Sequence, residues 1–470
     1  MTIISGVITV FIGRKTEIRI LEREYERDGS SFVILYGRRR IGKTTLIKQF
    51  MQGKDSLYFL STEEEEGQNL QYFQSLSFDK TGLEILSSGN KLEWQSIFDL
   101  LTKGPGKTII AIDEYPYLVM SSPGFSTKLQ RIWDEMLKNR NVMLILCGSL
   151  IGMMYSETLD YSSPLYGRRT AQINLKQIPY SDFADFFPEK SDEDLLTIYA
   201  VTGGVPRYIE LFQPGKDFIE NITDNVLKKG SYLYEEPIFL LNRQLRETRT
   251  YFSILKTIAE GSHKSSEISS RLNMKQPSIG YYMNGLIDMD LVEREVPVTE
   301  KNPEKSKKGL YRIKDNFSQF WFRFVYPFRS YLEMENTTPA IEKIRTSFID
   351  SHLSFVYERV CQEVLKEMTG AGFFGNRISR IGRWWNLKEE IDIVGVDKDN
   401  VPVIFGECKY RQEPMGIDTL KELQRKASTI TETTDRIFVL FSRKGFSKEL
   451  QNYSQRNKNV FLFEFFKRII

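Results

Sequence analysis

The stretch Phe32-Val33-Ile34-Leu35-Tyr36 runs directly into Gly37-Arg38-Arg39-Arg40-Ile41-Gly42-Lys43-Thr44-Thr45. Five apolar residues in a row suit a strand buried on both faces. The next eight, Gly37 to Thr44, fit the pattern G-x-x-x-x-G-K-[ST] at every fixed position, and Leu46 to Met51 continues as a helix. Strand, glycine-bounded loop and helix start in this order make a cradle for phosphate oxygens. Glycines let the backbone turn its N–H groups inward, and the helix N-terminus adds partial positive charge. Lys43 supplies a mobile cation and Thr44 a hydroxyl for a divalent ion. The substrate implied is ATP with Mg²⁺, held by Gly37 to Thr45.

Further along, Thr108-Ile-Ile-Ala-Ile112 is a second apolar run, ending in Asp113 and Glu114. Asp113 can hold Mg²⁺ through its water shell, and Glu114 can orient or polarise an attacking water. Ser56–Leu60 and Val142–Leu146 are further strand-like runs, and helical patterns separate all four. The fold class expected is α/β, a three-layered P-loop domain. The run Glu63 to Glu66 is expected to open a helix, because acids suit its first turn.

Several short segments give these residues a family context. Phe11-Ile-Gly13-Arg14 followed by Glu17 resembles the F-x-G-R-x-x-E box of the AAA+ ATPases of the archaeal-type, STAND-related branch. Cys147-Gly-Ser149, Tyr166-Gly-Arg168-Arg169 and Gly203-Gly-Val-Pro206 resemble further motifs of that branch. The resemblance covers residues 1–240. It implies that Gly13 and Arg14 pack near adenine, that Pro206 touches adenine, and that Ser149 meets the γ-phosphate or the attacking water. It also offers Arg168 as an arginine finger, in cis or from a neighbouring subunit, a role worth ~10³–10⁵ in rate. Arg168 can equally serve in a surface ion pair, and Pro206 as a turn proline.

Beyond a mostly helical stretch from Tyr180 to Leu241, the pattern changes. Tyr251–Ala259, Ser265–Leu272 and Gln276–Met289 read as three helices. Leu291–Arg294 and Leu310–Ile313 read as two strands joined by the basic loop Lys301 to Lys308. This is the pattern of a winged helix. Its third helix offers Lys275, Gln276, Ser278, Tyr281, Tyr282 and Asn284 to a DNA groove, while Asp288, Asp290 and Glu295 dilute the charge. Such modules also dock proteins.

The C-terminal part carries Glu390-Ile-Asp392 on one strand and Glu407-Cys-Lys409 on the next, with Glu358 on an upstream helix. Alternation puts Glu407 and Lys409 on one face. Asp392 and Glu407 can bind Mg²⁺, with Glu358 as a further ligand, while Lys409 holds or deprotonates a water. A buried ion-pair network is the other reading. The arrangement resembles the PD-(D/E)xK restriction-endonuclease-like superfamily, with Ile391 where the proline would stand. Arg383-Trp384-Trp385 resembles the domain of unknown function that follows archaeal-type AAA+ modules.

The totals limit the alternatives. The 470 residues carry 65 basic and 62 acidic side chains, so the chain is no polycation and a DNA surface requires local charge segregation. Three cysteines, Cys147, Cys361 and Cys408, and two histidines, His263 and His352, argue against a disulfide framework, a histidine metal cage or a Ser-His-Asp triad. No apolar run approaches the ~18 residues of a membrane span. Met1–Phe11 lacks the features of a signal peptide and reads as an extended lead-in, so a cytoplasmic location without membrane association is expected. The expected domains are an ATPase core (1–175), a helical lid (176–245), a winged helix (246–320), a connector (321–344) and a nuclease-like α/β domain (345–470). DNA is the expected partner, with a protein partner and homo-oligomers as further expectations. The function expected is an ATPase coupled to a nuclease-like domain; the rival is a STAND-like ATP-gated switch with a silent C-terminal scaffold.

Overall fold

The computed structural model describes residues 2–4, 7–9, 11–87, 89, 91–245 and 247–470. The chain divides into two compact units, Met1–Phe186 with Gly204–Glu210, and Phe187–Gly203 with Leu211–Ile470. In the N-terminal lead-in, Met1, Ser5, Gly6 and Val10 lie outside the described residues. Strands β1 (Thr2–Ile4) and β2 (Val7–Thr9) pair antiparallel there, so the segment doubles back where an extended run was expected.

The first unit is built on β3 (Ser31–Tyr36), β4 (Ser56–Leu60), β5 (Thr108–Asp113), β6 (Val142–Gly148) and β7 (Ala171–Asn174). These form one parallel sheet in the order β4-β5-β6-β3-β7. Every residue of β3, β5 and β6 is buried, because helices cover both faces. Alternation sends Phe32, Ile34, Ile110 and Ile112 into one core. Val33, Leu35, Ile109 and Ala111 enter another on the opposite face. The C-terminal ends of parallel strands share one edge, and chemistry on such sheets collects there. The helix anticipated after the glutamate run spans Glu66–Thr81, with a capping box between Glu65 and Gln68.

The second unit begins with helix Asp192–Thr202, capped by the Ser191 hydroxyl. Helices Thr248–Ala259, Ser265–Leu272 and Gln276–Asp288 precede an antiparallel ribbon, β8 (Val292–Glu295) with β9 (Leu310–Ile313). Helices Asn316–Phe324, Thr338–Phe348 and Ser354–Gly370 follow. The last sheet runs β10 (Arg380–Trp385), β11 (Glu390–Val396), β12 (Pro402–Lys409), β13 (Ile437–Ser442), β14 (Val460–Glu464) and β15 (Lys467–Arg468), in that order. β12, β13 and β14 are parallel and the remaining pairs antiparallel. Helix Ile417–Ile430 joins β12 to β13 and packs Leu420 and Leu423 against Phe405, Leu440 and Leu462. All three cysteines are buried and free of disulfides. Among the described residues no helix is long and apolar enough to cross a membrane.

Candidate functional site

The loop after β3 is shaped by close approach and by backbone conformation. A Cβ on Gly37 would stand 2.4 Å from the Leu175 carbonyl oxygen, so only glycine fits. Gly42 adopts φ 89° and Arg40 φ 69°, the left-handed turns that bring the chain into helix Lys43–Met51. Ile41 is fully buried and anchors the loop from below, while Thr44 and Thr45 remain exposed at its mouth. The Lys43 ammonium donates to the carbonyl oxygens of Gly37 (2.9 Å) and Arg38 (3.0 Å), poised inside the curl of the loop. Arg39 donates to the Tyr117 hydroxyl at 2.5 Å.

Opposite the loop stand the acids that end β5. One Asp113 oxygen accepts from the Thr44 hydroxyl (2.6 Å) and from the Tyr58 hydroxyl (2.8 Å); the other accepts from the N–H of Glu114 (2.9 Å). Burial and the neighbouring Asp113 push the Tyr58 phenol well above its usual range, so it stays a donor. Glu114 sits at φ 52°, an uncommon backbone state for a glutamate. Its carboxylate is held by the N–H (3.2 Å) and hydroxyl (2.9 Å) of Ser149, which follows β6. The Ser61 hydroxyl fixes the same turn through the carbonyls of Asp113 (2.9 Å) and Glu114 (2.6 Å). β6 lies between β5 and β3, so Ser149, Glu114 and the loop share the sheet edge.

The residues singled out from the more distant motifs divide. A Cβ on Gly42 would lie 3.8 Å from Pro206 Cγ, so Pro206 stands against the loop. Arg14, only 7% exposed, donates to the Ile41 carbonyl oxygen at 2.8 Å and pairs with Glu17 at 3.3 Å. It braces the loop backbone from behind. Gly13, at φ 69°, lies where a Cβ would meet Asp182 at 2.7 Å. Arg168 is engaged elsewhere: it pairs with Asp134 at 2.6 Å and also donates to the carbonyls of Pro164 and Tyr166. The ion-pair alternative is therefore what the structure holds for this residue. Tyr58 and Ser61 escaped sequence reading. The available signal was a hydroxyl inside and just after an otherwise apolar strand, beside the strand that ends in Asp113.

In the second unit the antiparallel register pairs Ile393 with Gly406, which brings Asp392 opposite Glu407. Lys409 forms an ion pair with Glu407 on the same face. Asp392 accepts from the N–H of Cys408 at 2.9 Å, and Gln362 donates to its carbonyl oxygen at 2.9 Å. Burial pushes the carboxyls of Asp392 and Glu358 upward; Glu407 adds to the first shift and Asp392 to the second. Burial alone would lower the Lys409 ammonium, but Glu407 and Asp392 hold it above its usual value. Asp392, Glu407, Lys409 and Glu358 are thus neighbours. Yet among the described residues no three histidine, cysteine, aspartate or glutamate side chains are arranged to hold a metal ion. The three-carboxylate cage of the sequence reading is not formed in this arrangement, because Lys409 takes Glu407 and a backbone N–H takes Asp392.

Comparison with known proteins gives these sites a setting. Residues 11–212 match an ATPase domain found predominantly in Archaea. Residues 321–427 match a domain of archaeal and bacterial proteins of unknown function. The solved structure of the Walker-type ATPase PABY2304 of Pyrococcus abyssi superposes with a TM-score of 0.52 at 22% identity, covering 67% of this chain and 96% of that one. That likeness is one of fold. A short stretch of 47 residues is 49% identical to the uncharacterised ATP-binding protein MJ0423 of Methanocaldococcus jannaschii, spanning 10% of this chain and 80% of that protein. The uncharacterised protein MJECL04 of the same organism is 33% identical over 444 residues, 94% of this chain and 97% of its own length. The chain belongs to the family of MJECL04, and within it carries the archaeal-type P-loop ATPase domain.

Proposed function

We propose that the protein binds and hydrolyses ATP with Mg²⁺ as an AAA+-type ATPase, coupled through a winged helix to a nuclease-like domain that acts on or binds DNA. The observation that carries this reading is the pair of contacts at the sheet edge, Thr44 on Asp113 and Ser149 on Glu114. Thr44 and Asp113 are hard oxygen donors 2.6 Å apart, a set that fits Mg²⁺. When bound, Mg²⁺ supplies positive charge to the phosphate oxygens. Lys43 would exchange the two loop carbonyls for phosphate oxygens, and the loop N–H groups would hold the rest. Glu114, fixed by Ser149, would orient a water and accept its proton. Arg14 and Ile41 keep the loop in shape. The partition proposed is core 1–175, lid 176–245, winged helix 246–320, connector 321–344 and nuclease-like domain 345–470.

DNA contact is supported by the exposed face of helix Gln276–Asp288, where Lys275, Gln276, Ser278 and Asn284 stand in solvent and Tyr281 is 70% exposed. In the ribbon loop Lys301, Lys305 and Lys307 are also exposed. Phosphates attract such lysines, and polar side chains read base edges. Two carboxylates and a lysine suffice for a site with a largely hydrated Mg²⁺, which supports nuclease chemistry at Asp392, Glu407 and Lys409. The closed Lys409–Glu407 ion pair favours the second reading, an ATP-gated assembly switch with a silent C-terminal scaffold and a protein partner. One experiment separates them: ATP hydrolysis and strand nicking measured with and without duplex DNA, alongside Asp392→Ala and Lys409→Ala. DNA-stimulated hydrolysis, with nicking lost in both variants, supports the first reading. An ATP-dependent change in oligomer size that ignores DNA, without nicking, rejects it for the switch.

A further inference from the structure

The second unit holds a partly open cavity of about 60 Å³ between the β8–β9 ribbon, helices Asn316–Phe324 and Ser354–Gly370, and β10. Four arginines line it, Arg312, Arg323, Arg359 and Arg383. Three glutamates, Glu293, Glu295 and Glu358, share the wall with them. Glu295 serves two of them at once, lying 2.8 Å from Arg312 and 3.6 Å from Arg383. Arg383 also reaches Glu390 at 3.1 Å. Arg359 is satisfied by uncharged acceptors, the Lys314 carbonyl oxygen and Asn316. Arg323 is half-buried, and among the described residues it meets no carboxylate and no hydrogen-bond acceptor. Partial burial and the neighbouring charge of Arg312 both disfavour the Arg323 cation, and an anion seated between the two would relieve that. Of the glutamates, Glu293 is pushed by burial toward its neutral form, and Glu358 is a member of the carboxylate cluster on β11 and β12.

We infer that this cavity is a binding site for a small tetrahedral oxyanion, phosphate or sulfate, held chiefly by Arg323 and Arg312 with Gln319 as a neutral donor. Guanidinium groups present paired N–H donors that match the oxygens of such an ion. The interior has room for one such ion. An ion there would join the ribbon to β10 and to the two helices behind it, stiffening the unit that carries Asp392 and Glu407. The site is remote in sequence from the glycine-bounded loop, so it does not depend on that loop's reading.

The test is calorimetric titration of the full chain with inorganic phosphate, using Lys43→Ala to remove binding by the loop after β3. The site predicts that Lys43→Ala still binds one phosphate. Arg323→Gln and Gln319→Glu, each in that background, should weaken binding roughly tenfold or more. In phosphate-free buffer Arg323→Gln should unfold at no lower temperature than the parent, because it removes an uncompensated charge. A purely structural arginine would instead lower the unfolding temperature. Phosphate binding that is absent from Lys43→Ala, or that survives both Arg323→Gln and Gln319→Glu, overturns the inference. So does binding seen with a 5′-phosphorylated oligonucleotide and not with the free ion. If Arg323→Gln fails to fold, Gln319→Glu alone carries the decision.

Discussion

One oxygen of Asp113 accepts two hydroxyl protons, from Thr44 and Tyr58, and Glu114 beside it is clamped by Ser149. These contacts fix both carboxylates before any substrate arrives. Removing the charge of Glu114 while keeping its shape should therefore spare binding and impair turnover. Glu114→Gln is expected to bind ATP as the parent does and to hydrolyse it ~10²–10⁴-fold more slowly; an unchanged steady-state rate rejects the role given to Glu114. Of this cluster, Lys43 and Thr44 were legible from the spacing of their motif, and Asp113 and Glu114 from their place at the end of an apolar strand beyond it. Tyr58 was not, because its role depends on which strand lies beside β5. His352 makes a different argument. It is fully buried among Phe320, Phe324 and Phe348, with Nε2 2.6 Å from the Ala200 carbonyl oxygen. Burial lowers its pKa from 6.5 to about 3. The unfolded chain then binds a proton that the folded chain refuses, so stability falls as pH drops from about 6.5 toward 3, by roughly 1.4 kcal/mol per pH unit. His352→Gln should flatten that slope in denaturant titrations between pH 6.5 and 5; an identical slope in the variant means that His352 does not titrate this way.

At the level of elements, β3, β5 and β6 were readable because they are buried on both faces and therefore apolar throughout. β7 was not, since only Ile173 of Ala171–Asn174 is buried and the run carries no apolar signature. β10 hides likewise behind two arginines and a glycine. The helices of residues 248–288 and the ribbon were legible from their periodicity, but the pairing of Lys409 with Glu407 was not, since spacing sets a shared face and not the rotamer. The turn before Pro206 depends on close approach. A Cβ on Gly204 would come 1.8 Å from the Ile178 carbonyl oxygen, which is backbone and cannot step aside, whereas one on Gly215 would meet nothing within 4 Å. Gly204→Ala should lower stability by ~1–3 kcal/mol or more through overpacking, while Gly215→Ala stays near neutral. Equal unfolding midpoints for the two variants contradict this view of the turn.

Across the molecule, two compact units share one chain, and the chain passes from the second back to the first between Gly203 and Gly204, just ahead of Pro206. The likeness to MJECL04 covers 94% of this chain, so it extends over both units and not over the ATPase domain alone. What the sequence could not convey at this scale is the division of residues 187–203 from 204–210, because partition follows contacts made far along the chain. The proposed ATP binding rests on the loop between β3 and the helix that follows. Equilibrium binding of ATP in the presence of Mg²⁺, compared between the full chain and a folded Lys43→Ala variant, tests it most directly. Loss of affinity by roughly 100-fold or more is the result expected once the cation is gone; equal affinity in the two proteins contradicts it.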